Sequence, residues 1–314
     1  MSTKLKGTIY GIIAAVSYGT NPLGALLLYQ EGINAHSVLF YRFSLAVVLL
    51  ALLMLVQKKS FAVNRKELAV LASLGVLFAV SSLTFFTSFH HMDAGISATM
   101  LFVYPVMVAV IMAVFFKERL TAVTVFSIAL SLAGIALLYK GDGGETLSTL
   151  GVILVMVSSL TYAIYIVVVN RSFLLMSSVK LTFYVLLFCM VCIVIHSFFD
   201  NGTHLQLLTT PAMWLHALML AFVPTVISLV LMVMAVHAIG STPTAILGAL
   251  EPLTAVLIGI SVFGEQLTPR LAIGITLIVI AVLLIIAGKS FSVKRVRNVL
   301  GRVGKGLLKH WRWK

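Results

Sequence analysis

Glu251 is a carboxylate in a stretch with no other charge. It lies in ILGALEPLTAVLIGISVF, with apolar residues on both sides and Pro252 directly after it. Within a helix crossing a bilayer, a charged and unpaired carboxylate costs about 2.5–3.5 kcal/mol. Glu251 must therefore be protonated, paired or in contact with water. A carboxyl that gains and loses a proton inside a membrane cavity can couple proton flow to the movement of another solute. The competing reading is a structural carboxyl bonded to a neighbouring hydroxyl.

Polar residues with helical spacing accompany it. Ser17, Tyr18 and Asn21 share one face of a helix, and Ser158, Thr161, Tyr162 and Tyr165 share the equivalent face of another. Lipid-facing positions would be aliphatic, so both stripes point into a bundle, where they line a solvated cavity or bond helix to helix. Four prolines fall inside apolar runs: Pro22, Pro105, Pro224 and Pro252. Each removes a helical hydrogen bond and frees a carbonyl. In hydrocarbon that carbonyl needs a partner or cavity water, so these positions are also candidate hinges. Arg42, in FYRFSL near a helix end, either snorkels to the interface or attracts an anion at a cavity mouth.

Other groups carry weaker chemistry. His90, His91 and Asp93 cluster in sequence without a further ligand nearby, so a metal site is not expected. Cys189 and Cys192 have CxxC spacing inside an apolar run and read as small apolar residues. Asn201-Gly202-Thr203 matches a glycosylation sequon. P-loop, HExxH, nucleophile-elbow and Gly-rich nucleotide fingerprints are absent, so neither ATP hydrolysis nor a bound cofactor is expected.

The elements that position these residues follow from composition. Of 314 residues 61% are hydrophobic and 10% charged, and mean hydropathy is +1.13. No soluble domain has that balance. The apolar runs predict ten spanning helices at about 8–29, 36–57, 67–89, 94–116, 120–139, 149–170, 179–199, 212–236, 243–263 and 269–288. The first run is long enough to be a retained helix rather than a signal peptide.

Charge orients the bundle. With both termini cytoplasmic, the inner segments hold Lys4, Lys6, Lys58, Lys59, Arg65, Lys66, Lys117, Arg119, Arg171, Lys180 and the basic tail. The outer side holds Glu31, Asp93, Asp142, Glu145, Asp200 and Glu265, with Lys140 as the main loop cation and Arg42 and Arg270 at outer helix ends. This is the positive-inside pattern of a cytoplasmic (inner) membrane protein. The net charge of +13 then faces anionic lipid headgroups and calls for no nucleic acid.

The chain also repeats itself. FVYPVMVAVIMAVFFKERLT returns as ALEPLTAVLIGISVFGEQLT. Pro105, Glu118, Leu120 and Thr121 recur at one offset as Pro252, Glu265, Leu267 and Thr268, and His90 and Ala98 recur as His237 and Ala245. The repeat partner of Glu251 is Tyr104, so the acid is not needed merely to build the repeat. Five helices per half is an odd number, so the halves enter the membrane from opposite sides, as inverted copies. The predicted units are 1–145, 146–289 and a basic tail, 290–314. Val293, Val296, Leu300, Val303, Leu307 and Trp311 give that tail an amphipathic spacing suited to an anionic inner leaflet.

YPVMVAVIMAVFFKERLT and EPLTAVLIGISVFGEQLT resemble the duplicated motif of EamA-type carriers in the drug/metabolite transporter superfamily, as do GIIAAVSYG and YRFSLA. The resemblance covers nearly everything but the tail. It implies an all-α protein of ten transmembrane helices in two inverted repeats, around a cavity bounded by helices one, three, four, six, eight and nine. On this chain the implied cavity residues are Ser17, Tyr18 and Asn21, Ser81 and Thr84, Tyr104, Ser158, Tyr162 and Tyr165, Thr225 and Ser228, and Glu251. It further implies a secondary transporter that moves a small polar or amphipathic metabolite, amino acid-like or drug-like, by alternating access and commonly outward, and it leaves room for a homodimer. Lys117 departs from the glycine many members carry there, which Gly264 keeps in the second half, and this puts the turn in doubt. The alternatives are an uncoupled facilitator of the same fold or a membrane enzyme acting on lipid-linked substrates. The scattered acids do not favour the enzyme.

Overall fold

The computed structural model describes residues 3–117, 121–139, 147–172, 174, 176–199, 204–239, 244 and 247–284. The basic tail, Glu118, Lys140, the loop acids Asp142, Glu145 and Asp200, and the Asn201–Thr203 sequon lie outside them.

Among the described residues the chain is helical and has no strand. The helices are α1 (Thr3–Gly19), α2 (Asn21–Gln30), α3 (Ala35–Val56), α4 (Arg65–Ser88), α5 (Ala94–Leu101), α6 (Tyr104–Phe116), α7 (Ala122–Tyr139), α8 (Thr149–Arg171), α9 (Ser178–Phe199), α10 (Pro211–Ala221) and α11 (Ser228–Ile239). α12 (Leu250–Phe263) and α13 (Pro269–Leu284) follow. A π-helical turn, Phe222–Ile227, joins α10 to α11. Eight helical spans are long and apolar enough to cross a membrane, taking α1–α2, α5–α6 and α10–α11 each as one, and α12 and α13 are shorter apolar helices.

Local chemistry sets the ends. Asn64 Oδ1 accepts the Glu67 amide, and Glu67 returns the bond to the Asn64 amide, both at 2.8 Å. That reciprocal pair satisfies two of the four free amides that open α4. Asn34, Ser148 and Thr210 cap α3, α8 and α10. The repeat is visible at two stops: Lys117 closes α6 with φ 54° and its amide bonded to Met112 O, and Gly264 closes α12 with φ 70° and its amide bonded to Gly259 O. The lysine therefore keeps the same helix cap as Gly264 and accepts a left-handed backbone, a conformation that costs a non-glycine residue roughly 1–2 kcal/mol.

Packing follows the small and apolar faces. α1 runs between α11 and α12, α8 lies against α4, α5 and α6, and α3 pairs with α9. The largest core joins α2, α3, α4 and α9 through Leu28, Leu39, Phe43, Phe86 and Ile193. Many apolar side chains on the outer surfaces stay exposed, among them Val56, Phe115 and Leu257, as a lipid-facing wall requires.

Candidate functional site

Pro22, Pro105, Pro224 and Pro252 interrupt or open helices, and at each the carbonyl freed by proline has found a donor. Proline has no amide to give the carbonyl four residues back. For Pro22 that carbonyl is Tyr18 O, which accepts Asn21 Nδ2 at 2.8 Å. For Pro105 it is Leu101 O, which accepts Ser159 Oγ from α8 at 3.2 Å. For Pro224 it is Leu220 O, which accepts Thr225 Oγ1 at 3.0 Å. For Pro252 it is Gly248 O, which accepts the Glu251 amide at 3.0 Å. The π turn carries the backbone past Pro224 by a local change of register.

Three of the breaks, all but the one at Pro224, converge on one cavity of about 120 Å³. Tyr18, Asn21 and Pro22 from the α1–α2 break, Leu101, Phe102 and Tyr104 from the α5–α6 break, and Glu251 and Pro252 from α12 all line it. Tyr162 of α8 and Ser228, Leu229 and Met232 of α11 complete the wall. At Gly19 a Cβ would stand 2.6 Å from Glu251 O. Only glycine lets α1 approach α12 this closely beside the acid.

Tyr18, Tyr104 and Tyr162 line the cavity, whereas Tyr165, expected there from the stripe, lines neither the cavity nor the recess beside it and packs on Tyr162 instead. Tyr104 meets Tyr162 edge-on at 4.8 Å, and Tyr162 stacks on Tyr165 at 5.8 Å with 8° between planes. No basic side chain among the described residues lies within ion-pair distance of Glu251. Its surroundings in the cavity are phenols, Asn21 and apolar groups. Asn21 is buried, and among the described residues its Oδ1 has no hydrogen-bond partner, which leaves an acceptor open for a donor within the cavity.

A second recess of about 20 Å³ adjoins the first and shares Tyr18, Asn21 and Tyr162 with it. That is room for about one water. Arg42 lines the recess. It does not snorkel: it is 4% exposed, its Nε donates to Thr225 Oγ1 at 3.0 Å, and its guanidinium lies 5.1 and 5.2 Å from the Phe43 and Phe86 ring centres. The Tyr18 hydroxyl neighbours the same guanidinium. A cation stacked between two rings and held by a threonine is fixed in direction.

Not every polar residue of the stripes faces open space. Ser81 Oγ donates to Ser158 O at 3.0 Å and Ser158 Oγ to Ser81 O at 2.7 Å, a reciprocal clamp between α4 and α8. Both still border the smaller recess. Ser228 Oγ spends its proton on Ala14 O at 2.9 Å. Thr84 Oγ1 turns back onto Val80 O and Ser81 O of its own helix. Ser17 is buried and its carbonyl holds the Thr20 hydroxyl and amide. Thr225 works between Arg42 and Leu220.

Sequence reasoning missed Ser159, Leu229, Met232 and Glu265. Ser159 had a signal, since Pro105 obliges some neighbour to serve Leu101 O. Glu265 had a partial one, its recurrence with Glu118. Its carboxylate receives the Ala94 amide at 2.7 Å and the Gly95 amide at 3.2 Å, which closes the start of α5 from the far side of the repeat. Burial pushes this carboxyl up and nearby Asp93 adds to that, against the lowering effect of the two amides. At the same end His90 stacks on Tyr29 at 4.2 Å. Among the described residues no group of three His, Cys, Asp or Glu could hold a metal.

A polytopic bundle whose helices break around a shared cavity is the architecture of a membrane transporter. The EamA-like transporter family matches residues 5–140 and again 149–287. The chain belongs to that family. It is 24% identical over 269 residues to YcbK, an uncharacterized transporter of Bacillus subtilis (strain 168), covering 83% of this chain and 86% of that one. It also shares its fold with a crystal structure at TM-score 0.62 and 16% identity, over 88% of this chain and 95% of the other.

Proposed function

We propose that this transporter is a secondary carrier that exports a small polar or amphipathic metabolite across the cytoplasmic membrane by alternating access. The observation that carries the reading is the convergence of broken helices on one cavity whose acid has no ion-pair partner among the described residues, beside a recess lined by a fixed arginine. Ten helices in two inverted halves, 1–145 and 146–289, with both termini cytoplasmic, form the scaffold of this reading. The doubled family match supports the two halves, and so does the packing. Counted as spans, helix one meets eight and nine where helix six meets three and four, and two pairs with seven. That exchange is what two related halves predict.

In this reading Glu251 carries the proton that drives the cycle, and Arg42 attracts the substrate's anionic group through the Tyr18 side of the cavity. Pro22, Pro105, Pro224 and Pro252 are the hinges. Proteoliposomes test it: substrate-driven counterflow should persist in Glu251→Gln while proton-driven accumulation disappears. Proton flux and accumulation unchanged in that variant would refute Glu251 as the coupling group, and wild type without proton-driven accumulation would be an uncoupled facilitator. A metabolite export screen in cells lacking and overproducing the chain identifies the substrate.

A further inference from the structure

A roomier cleft lies beside the central cavity. A cleft of about 220 Å³ opens between α3, α9 and α11. Its origin is the π turn. α10 packs on α3 as far as that turn, whereas beyond it α11 turns to lie along α1. A wedge is left where α11 parts from α3 and α9. Leu50, Val230, Val233 and Met234 make its walls apolar. Its mouth is polar and basic, with Gln57, Lys59 and Ser178 at the end of α3 and the start of α9. The backbone aims Lys59: Lys58 takes a left-handed conformation, φ 51°, and the Lys59 amide closes α3 on Met54 O at 2.9 Å. Lys180 stands at the same end, with its Nζ donating to Ala62 O. Leu229 lines both this cleft and the central cavity, and so forms a partition between them.

We infer that this cleft binds one anionic phospholipid of the surrounding bilayer, with its phosphate at Lys59 and an acyl chain along Val230 and Val233. The occupant follows from the juxtaposition of an apolar wedge with a cationic mouth at the end of the bundle where Lys58, Lys59 and Lys180 gather. Cations at a membrane surface select anionic headgroups, while the apolar wedge accepts a chain and rejects a free anion. The bound chain would rest on the helix that walls the central cavity, whatever that cavity carries.

Native mass spectrometry of the purified full-length protein tests this, with phosphatidylglycerol and phosphatidylcholine of identical chains as probes and glycerol phosphate as competitor. Wild type should prefer phosphatidylglycerol by about fivefold, the worth of about one lysine near an anionic surface. Lys59→Gln should bring the two lipids level. Val233→Phe, which fills the wedge, should weaken both lipids equally, and the milder Val233→Met should do so in part. Glycerol phosphate should displace neither. The inference is overturned by a phosphatidylglycerol preference that survives Lys59→Gln, by binding undiminished in both Val233 variants, by competition from glycerol phosphate, or by a protein dimer that lipid disperses.

Discussion

Ser159 is the residue whose role the structure defines most narrowly, because one proline creates its task. Pro105 leaves Leu101 O without its helical amide, and Ser159 Oγ on α8 supplies the replacement at 3.2 Å. Ser159 is fully buried, so Ser159→Ala strands a carbonyl in hydrocarbon. A buried unsatisfied group costs about 1–3 kcal/mol, and interhelical side-chain bonds in membranes reach only about 0.6 on average and 1.7 at most. A loss of about 1 kcal/mol is therefore expected. Pro105→Ala returns an amide to Leu101 O, so in that background Ser159→Ala should be nearly neutral. The coupling energy of the cycle should be about 1 kcal/mol. The four proteins would be unfolded reversibly in mixed micelles by titration with sodium dodecyl sulfate, followed by far-ultraviolet circular dichroism. Additivity to within about 0.3 kcal/mol would refute the assignment of Ser159 to the proline break. Transport adds a second readout: Pro105→Ala should slow it even where the fold gains stability, because the break opens the cavity wall at Phe102 and Tyr104.

Lys117→Gly should stabilise the fold by about 1 kcal/mol by relieving its left-handed backbone, and Gly264→Ala should cost a similar amount. A Cβ at Gly264 meets nothing within 4 Å, so a thermal melt of the pair reads backbone strain alone, and equal melting temperatures would contradict it. Arg42→Lys should lower transport more than Ser228→Ala, since lysine cannot reproduce the Thr225 bond and the two ring contacts together; equal initial rates would show the geometry to be dispensable. The Glu265 carboxyl is raised in the folded protein, chiefly by burial. Its stabilising contribution is therefore complete below the unfolded value and fades as pH rises through the folded one. The melting difference between wild type and Glu265→Gln should shift in favour of wild type as pH falls from 7 towards about 4.5, and a flat difference would reject the assignment.

Much of the scaffold was legible in one dimension. The spans follow from apolar runs, whose length and composition are local properties. The repeated Pro105 and Pro252 marked the interrupted helices before any fold was drawn. Glu251 stood out because a lone acid in an apolar run always needs an explanation. Lys117 shows the limit of that reading: its departure from glycine suggested an altered turn, yet the cap matches Gly264 because six-to-one closure of the helix outweighs the strain of one residue.

The sequence alone determined that this is a polytopic membrane protein with a duplicated plan and a lone carboxyl within an apolar run, because hydropathy, periodicity and repetition are written along the chain. Tertiary structure alone decided what each polar residue is for. Ser159 serves a carbonyl 58 residues away, Glu265 an amide 171 away, and Arg42 a threonine 183 away. A polar stripe has the same spacing whether it faces water, a substrate or another helix. Only the packing of helices remote in sequence shows that Ser81 and Ser158 clamp each other while Tyr18, Asn21, Tyr162 and Glu251 are left facing the cavity.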